Sequence, residues 1–183
     1  METFFSFLAK RVDDCSSLLC VGLDPHPSDL PAPTAEAARD FCLRLIKATA
    51  PYAAAFKPNA AFFELYGPDG WAALKDVIAA VQAESDRMGS MIPVILDAKR
   101  GDIASTAEAY ARSAFENLGV HAITLSPYLG RDSIRTRLIC PPQRPKQRVI
   151  SACGWSRRPH PTRQPSSPTR PSLSCMDPTA GLR

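Results

Sequence analysis

Asp97 and Lys99 stand two residues apart at the end of an apolar run, in the segment VILDAKRGD, with Arg100 and Asp102 directly behind them. Side chains alternate along a strand, so positions i and i+2 project from one face and hold an acid and a base together. Lys57, near the end of AAAFKPN, and Asp24, at the end of SLLCVGLD, close two other apolar runs with a charge. Carboxylates beside ammonium groups keep one another ionised, and an ammonium so placed can donate a proton where negative charge builds on a substrate carbon. Such chemistry requires neither a metal cage nor an organic cofactor. The alternative for Asp97 and Lys99 is a structural ion pair at a strand end; for Asp102, taken alone, it is a helix cap or a surface acid.

The elements that must hold these groups follow from apolar spacing. Residues 2–13 predict a short amphipathic helix with Phe4, Leu8 and Val12 on one face, and 17–24 a buried strand ending on Asp24. Thr34 caps a helix whose apolar face is Ala38, Phe41, Leu45 and Ala48, with Pro51 just past its end. A strand over 53–59 follows, in which Pro58 pushes Lys57 toward extended geometry. AAFFELYG reads as a short apolar turn, and Pro68 opens a helix marked by Trp71, Leu74, Ile78 and Val81 and running to about Gly89. Residues 92–99 form the third strand. Ser105 and Glu108 fit a capping box that opens a helix with Ala107, Ala111, Ala114 and Leu118 on one face, Gly119 closes it, and 121–127 is the fourth strand, ending near Ser126.

Four βα units with near-continuous apolar strands predict a parallel sheet covered by helices, either an open doubly wound sheet or a (β/α) barrel. No G-x-G-x-x-G follows the first strand and no Walker loop occurs, so the nucleotide-binding open sheet loses support. Polar residues instead close all four strands: Asp24, Lys57, Asp97 with Lys99, and Ser126. In a barrel these ends converge on one mouth, where such enzymes do their chemistry.

The chain of 183 residues is 45% hydrophobic and 22% charged, which suits one globular domain. Its charge is divided. Residues 1–134 carry 12 Lys/Arg against 17 Asp/Glu, net −5, whereas 135–183 carry 10 against Asp177 alone, net +9. The second segment also holds nine of the 18 prolines and no sustained apolar periodicity, so it is expected to be a disordered tail. Cys15, Cys20, Cys42, Cys140, Cys153 and Cys175 form no C-x-x-C pair and read as reduced thiols. METFFSFLAKR lacks a basic leading region and a small-residue cleavage site, and no stretch reaches the length of a membrane span; the expectation is a cytoplasmic protein.

VGLDP, FKPN, LDAKRGDI and LSPY, in this order and at these strand ends, resemble the orotidine 5′-monophosphate decarboxylase family, in particular its bacterial branch with a K-P-N lysine motif. The resemblance covers about residues 3–134. It implies a (β/α)8 TIM barrel of which the first four βα units are present, and a cofactor-free, metal-free conversion of orotidine 5′-phosphate (orotidylate) to uridine monophosphate (UMP). By the same resemblance Asp24 binds the substrate ribose, and Lys57 joins the charged network and contacts the ribose. Asp97 lies against the substrate carboxylate, Lys99 protonates carbon 6 of the pyrimidine, and Ser126 approaches the base. Asp102 reaches across the interface of a homodimer.

The family's phosphate-gripping loops follow strands seven and eight, and nothing in 135–183 resembles them. Remote phosphate binding stabilises the transition state, so a chain without those loops is expected to turn over poorly. The break near GRDSI reads as a truncation or frameshift, which makes the basic tail a product of a shifted frame and not a nucleic-acid-binding segment. Two other functions stay open: another phosphosugar-binding barrel decarboxylase or aldolase using Lys57 or Lys99 differently, and a non-catalytic fragment whose tail binds nucleic acid.

Overall fold

The computed structural model describes residues 3–129; the expectations for the tail 135–183, and for the last residues of the 1–134 unit, lie outside the described residues. The chain opens with helix α1 (Phe4–Cys15), two residues later than its apolar spacing predicts. Its start is fixed by a capping box that Thr3 and Ser6 form: the Ser6 N–H donates to Thr3 Oγ1 at 3.1 Å and the Thr3 N–H to Ser6 Oγ at 2.7 Å.

Strand β1 (Cys20–Leu23) is shorter than the apolar run that announces it, and it is not buried on both faces. Val21 and Leu23 enter the core, whereas Cys20, Gly22 and Asp24 are exposed on the opposite face, and Leu18 remains 86% exposed. Helix α2 (Ala35–Thr49) begins where Thr34 Oγ1 accepts the Ala37 N–H. Its buried stripe is Ala35, Ala38, Cys42 and Ile46; Phe41 and Leu45 pack at the margin and Ala48 is exposed, so the helix is rotated from the face its largest residues suggest. Small Ala38 and Cys42 let α2 approach closely, which Phe41 at the centre of the contact would prevent.

Strand β2 (Ala55–Pro58) leads through Asn59, whose Oδ1 accepts the Ala61 N–H, into helix α3 (Ala60–Glu64), where the sequence predicts a short apolar turn. Helix α4 (Gly67–Met88) is stopped by Gly89 at φ 63°. A Cβ at Gly70 would lie 1.7 Å from the Phe63 carbonyl oxygen, so α3 and α4 meet at a distance only glycine permits. Strand β3 (Ile95–Arg100) precedes helix α5 (Ala104–Arg112), which runs into a π-helical turn over Ser113–Asn117. The predicted Ser105–Glu108 box does not form. Ile103 is the N-cap, with no side-chain cap bond, and Ser105 already lies inside the first turn, because the chain leaving β3 becomes helical earlier than the box requires. Gly119, at φ 73°, leads to strand β4 (Ala122–Leu125).

Among the described residues all strand pairings are parallel. β1 pairs with β2 from Cys20↔Ala55 to Leu23↔Pro58, and β3 with β4 from Ile95↔Ala122 to Arg100↔Leu125. Bridges at Phe56↔Val94 and Asn59↔Asp97 join β2 to β3. The spatial order is therefore the chain order, β1-β2-β3-β4. A doubly wound sheet reverses direction at its switch point; a barrel continues around in one direction, as these strands do. Among the described residues β1 and β4 each pair on one side only. One core lies between strands and helices, centred on Phe56, Phe63, Leu74, Val77 and Ile92, and burial of each Phe side chain contributes about 2–3 kcal/mol. Among the described residues no helix is long and apolar enough to cross a membrane.

Candidate functional site

Three adjacent strands bring one carboxylate, two ammonium groups and a hydroxyl together. Lys57, on β2, places Nζ 2.8 Å from Asp97 Oδ2; Lys99, two residues beyond Asp97 on β3, places Nζ 2.7 Å from Oδ1. Thr124, on β4, donates its hydroxyl to the same Oδ1 at 2.9 Å. Asp97 is thus held from both neighbouring strands and from its own, with its side chain 12% exposed.

Burial disfavours charge on Asp97, but hydrogen bonds from Lys57, Lys99 and Thr124 outweigh it and hold the carboxyl at about 2. For Lys57, burial works against the cation, while the Asp97 hydrogen bond and the fields of Asp97 and Asp24 together raise its pKa. The two lysines differ in access. Lys57 is half-buried, its side chain 32% exposed, whereas the Lys99 side chain is 69% exposed. Such a site repels an anionic group placed against Asp97 and holds a proton ready for a carbon that becomes negative beside Lys99.

The backbone that makes this possible is irregular. Between the pairs Leu96↔Ile123 and Arg100↔Leu125 the chain takes four steps along β3 against two along β4, so Thr124 alone opposes Asp97, Ala98 and Lys99. Lys99 sits at φ 49°, in the left-handed region. Arg100 then ion-pairs with Glu64 and lies over the Tyr110 ring, its guanidinium carbon 5.2 Å from the centroid. The strand ends are pinned where the Ser126 N–H donates to the Arg100 carbonyl at 2.7 Å. A Cβ at Gly101 would fall 2.1 Å from the Ser126 carbonyl oxygen, so the glycine of AKRGD is required by this approach.

Of the residues singled out in the sequence, Lys57, Asp97 and Lys99 form the ion-paired cluster. Asp24 follows β1 on the exposed face and acts on Lys57 through its field. Ser126 is half-buried at the end of β4 beside Gly101. Asp102 lies beyond β3 and accepts the Ile103 N–H at 2.7 Å; it is not the cap of α5, which is Ile103 itself. Sequence reasoning missed Thr124, although it stands two residues before Ser126 in a strand and therefore shares its face. Cys15, Cys20 and Cys42 are free thiols, and burial, helped by the field of Asp24, pushes Cys42 up to about 12; the other three cysteines lie outside the described residues. Among the described residues no three His, Cys, Asp or Glu side chains gather as a metal-ligand set.

Comparison with known proteins gives this geometry a context. Residues 17–138 match the family described as orotidine 5′-phosphate decarboxylase / HUMPS. The orotidine 5′-phosphate decarboxylase of Roseiflexus castenholzii is 48% identical over 134 residues, which cover 72% of this chain and 46% of that protein. That of Methylibium petroleiphilum is 48% identical over 136 residues, 73% of this chain and 46% of the relative. Among solved structures, OMP decarboxylase of Leishmania donovani is similar with a TM-score of 0.66 and 53% identity, covering 82% of this chain and 53% of that one. UMP synthase of the same organism gives a TM-score of 0.66 at 52% identity, covering 82% of this chain and 30% of that one. The chain spans about half the length of the curated relatives it matches. Its four parallel strands and the helices between them form part of a (β/α)8 TIM barrel. With a family match that runs from before β1 to beyond β4 and takes in Lys57, Asp97 and Lys99, the chain belongs to the orotidine 5′-phosphate decarboxylase / HUMPS family.

Proposed function

We propose that this chain carries the acid–base half of an orotidine 5′-phosphate decarboxylase, which converts orotidylate to UMP and carbon dioxide. The observation that supports it most directly is the Asp97 carboxylate held between the Lys57 and Lys99 ammonium groups. The substrate carboxylate lies against anionic Asp97, whose charge destabilises it. The bond from carbon 6 to the carboxyl carbon breaks, the electron pair stays on carbon 6, and carbon dioxide leaves. Lys99 gives a proton from Nζ to carbon 6 and recovers one from solvent. Lys57 keeps Asp97 ionised and, with Asp24, holds the ribose; Ser126 approaches the pyrimidine. The step as written uses carboxylate and ammonium groups and no cofactor. In this reading the enzyme works in the cytoplasm as a homodimer, Asp102 serves the neighbouring subunit, and the substrate phosphate is held by loops that follow strands seven and eight.

The test supplies orotidine 5′-phosphate to the chain alone and to the chain mixed with the separately produced second half of the Roseiflexus castenholzii relative, and measures UMP and carbon dioxide. Decarboxylation is expected in the mixture, and Lys99→Ala should lower it about a thousandfold while UMP binding persists. Near-normal turnover in Lys99→Ala overturns the proton-donor assignment. Absence of both turnover and UMP binding in the mixture overturns the reading as a whole.

A further inference from the structure

We propose that Thr124 is a positioning residue: its hydroxyl fixes the backbone bulge of β3 and thereby aims the Asp97 carboxylate and the Lys99 ammonium at one point. The catalytic meaning of that aim rests on the function proposed above; the geometry does not. Three residues of β3 face Thr124 alone, so its own peptide group cannot serve all of their backbone groups. The side chain serves the others. Thr124 Oγ1 accepts the N–H groups of both Ala98 and Lys99 at 3.0 Å and gives its single proton to Asp97 Oδ1 at 2.9 Å. A hydroxyl has two acceptor sites and one donor, and here all are used.

The bulge is what this hydroxyl stabilises. Lys99 adopts a left-handed conformation that a lysine takes at a cost, and its N–H is one of the two that Thr124 accepts. From that conformation the Lys99 ammonium folds back onto Asp97 Oδ1, the oxygen Thr124 also touches, which leaves Oδ2 for Lys57. Valine would keep the shape of threonine and withdraw one donor and two acceptor sites at once, leaving two backbone N–H groups without their partner.

The experiment uses the isotopically labelled chain and two nuclear magnetic resonance readouts, the titration of the Asp97 carboxyl and hydrogen exchange at the Ala98 and Lys99 amides. The groups bearing on Asp97 are Lys57 from β2, itself in the field of Asp24 at the end of β1, Lys99 from β3 and Thr124 from β4, so only the last is altered. In Thr124→Val the Asp97 midpoint should rise by about one pH unit and the two amides should exchange about tenfold faster. Thr124→Ser, which restores the hydroxyl, should return both toward the original values. The inference is overturned if Thr124→Val changes neither readout, or if Thr124→Ser is as impaired as Thr124→Val. Should the valine variant fail to fold, rapid, unprotected exchange at Ala98 and Lys99 in the unsubstituted chain overturns it equally. Addition of UMP to the unsubstituted chain separates the two proposals: no response at Lys57, Asp97 or Lys99 counts against the decarboxylase reading and leaves the Thr124 result standing.

Discussion

Where β2 and β3 begin, Arg11 of α1 is 4% exposed and gives Nε to the Ala53 carbonyl at 2.9 Å and Nη2 to the Ala50 carbonyl at 2.7 Å; where those strands finish, Lys99 is largely exposed and rests on a carboxylate. Both ends hold a cation, and they hold it for different ends. Arg11 bonds neutral carbonyls that a turn after α2 leaves without helical partners, and its third contact, Nη1 to Ser90 Oγ at 3.2 Å, relays through that hydroxyl to Asp14. Such a cation is spent on position: α1 is tied to the turn before β2 and to the segment before β3. At the other end the partner is Asp97, and the hydrogen bonds from Lys57, Lys99 and Thr124 lower that carboxyl's proton affinity against the effect of burial, as well as fixing a geometry. A cation on neutral acceptors only holds a position; a cation on a carboxylate also keeps that carboxylate ionised.

Several substitutions would break or sharpen that contrast. The largest effect belongs to the tuned end, where the loss of turnover expected of Lys99→Ala should come with little change in stability, because that side chain is mostly solvated. The positional end should behave in the opposite way. Arg11→Ala strands the buried Ala50 and Ala53 carbonyls and is expected to lower stability by about 3 kcal/mol in urea unfolding, with the Asp97 titration unmoved. A loss below about 1 kcal/mol would show that the arginine does not tie α1 down.

A smaller effect should appear in acid. The Asp97 carboxyl is depressed from 3.8 to about 2, so its contribution is fully present above the unfolded value and disappears as pH falls through the folded one. That contribution is about 2 kcal/mol, and it should be visible as a difference between the unsubstituted chain and Asp97→Asn that is constant above pH ~5 and closes toward pH ~2. Lys57 runs the other way: its raised pKa makes its contribution complete below 10.5 and lost only as pH climbs through the folded value, which leaves the cluster intact across neutrality. The smallest effect is expected of Lys10→Ala, which removes an exposed pair with Asp14 at 2.7 Å; thermal unfolding should register no more than about 0.5 kcal/mol.

The order of βα units was legible because each element carries its own punctuation: Thr34 caps α2, Gly89 stops α4, and the apolar runs before Asp24, Lys57 and Asp97 read as strands. The ion pair of Asp97 and Lys99 was legible from alternation, even though the strand between them is bulged. Arg11 was not, because an arginine on a short amphipathic helix reads as a solvated face until the carbonyls that receive it are known. The stripe of α2 was misjudged for a related reason. Size marked Phe41 and Leu45 as central, whereas close packing selected Ala38 and Cys42. The Ser105–Glu108 box shows that a local motif is an offer which the incoming backbone can decline. Alternation puts Thr124 on the face of Ser126, but its bonds to β3 depend on a register shift between two strands, which no pattern within either strand records.

The sequential order of the strands also sets a timetable for the growing chain on the ribosome. Among the described residues each strand pairs with the one made just before it, so these four strands need no distant strand partner, and the hydrophobic layer can accrete unit by unit. Lys57 emerges first and Asp97 40 residues later, but the hydroxyl that shapes the bulge lies a further 27 residues along. The charged centre is thus written early and set last, when β4 docks, so a nascent chain carries both lysines and their aspartate before it holds them in working order.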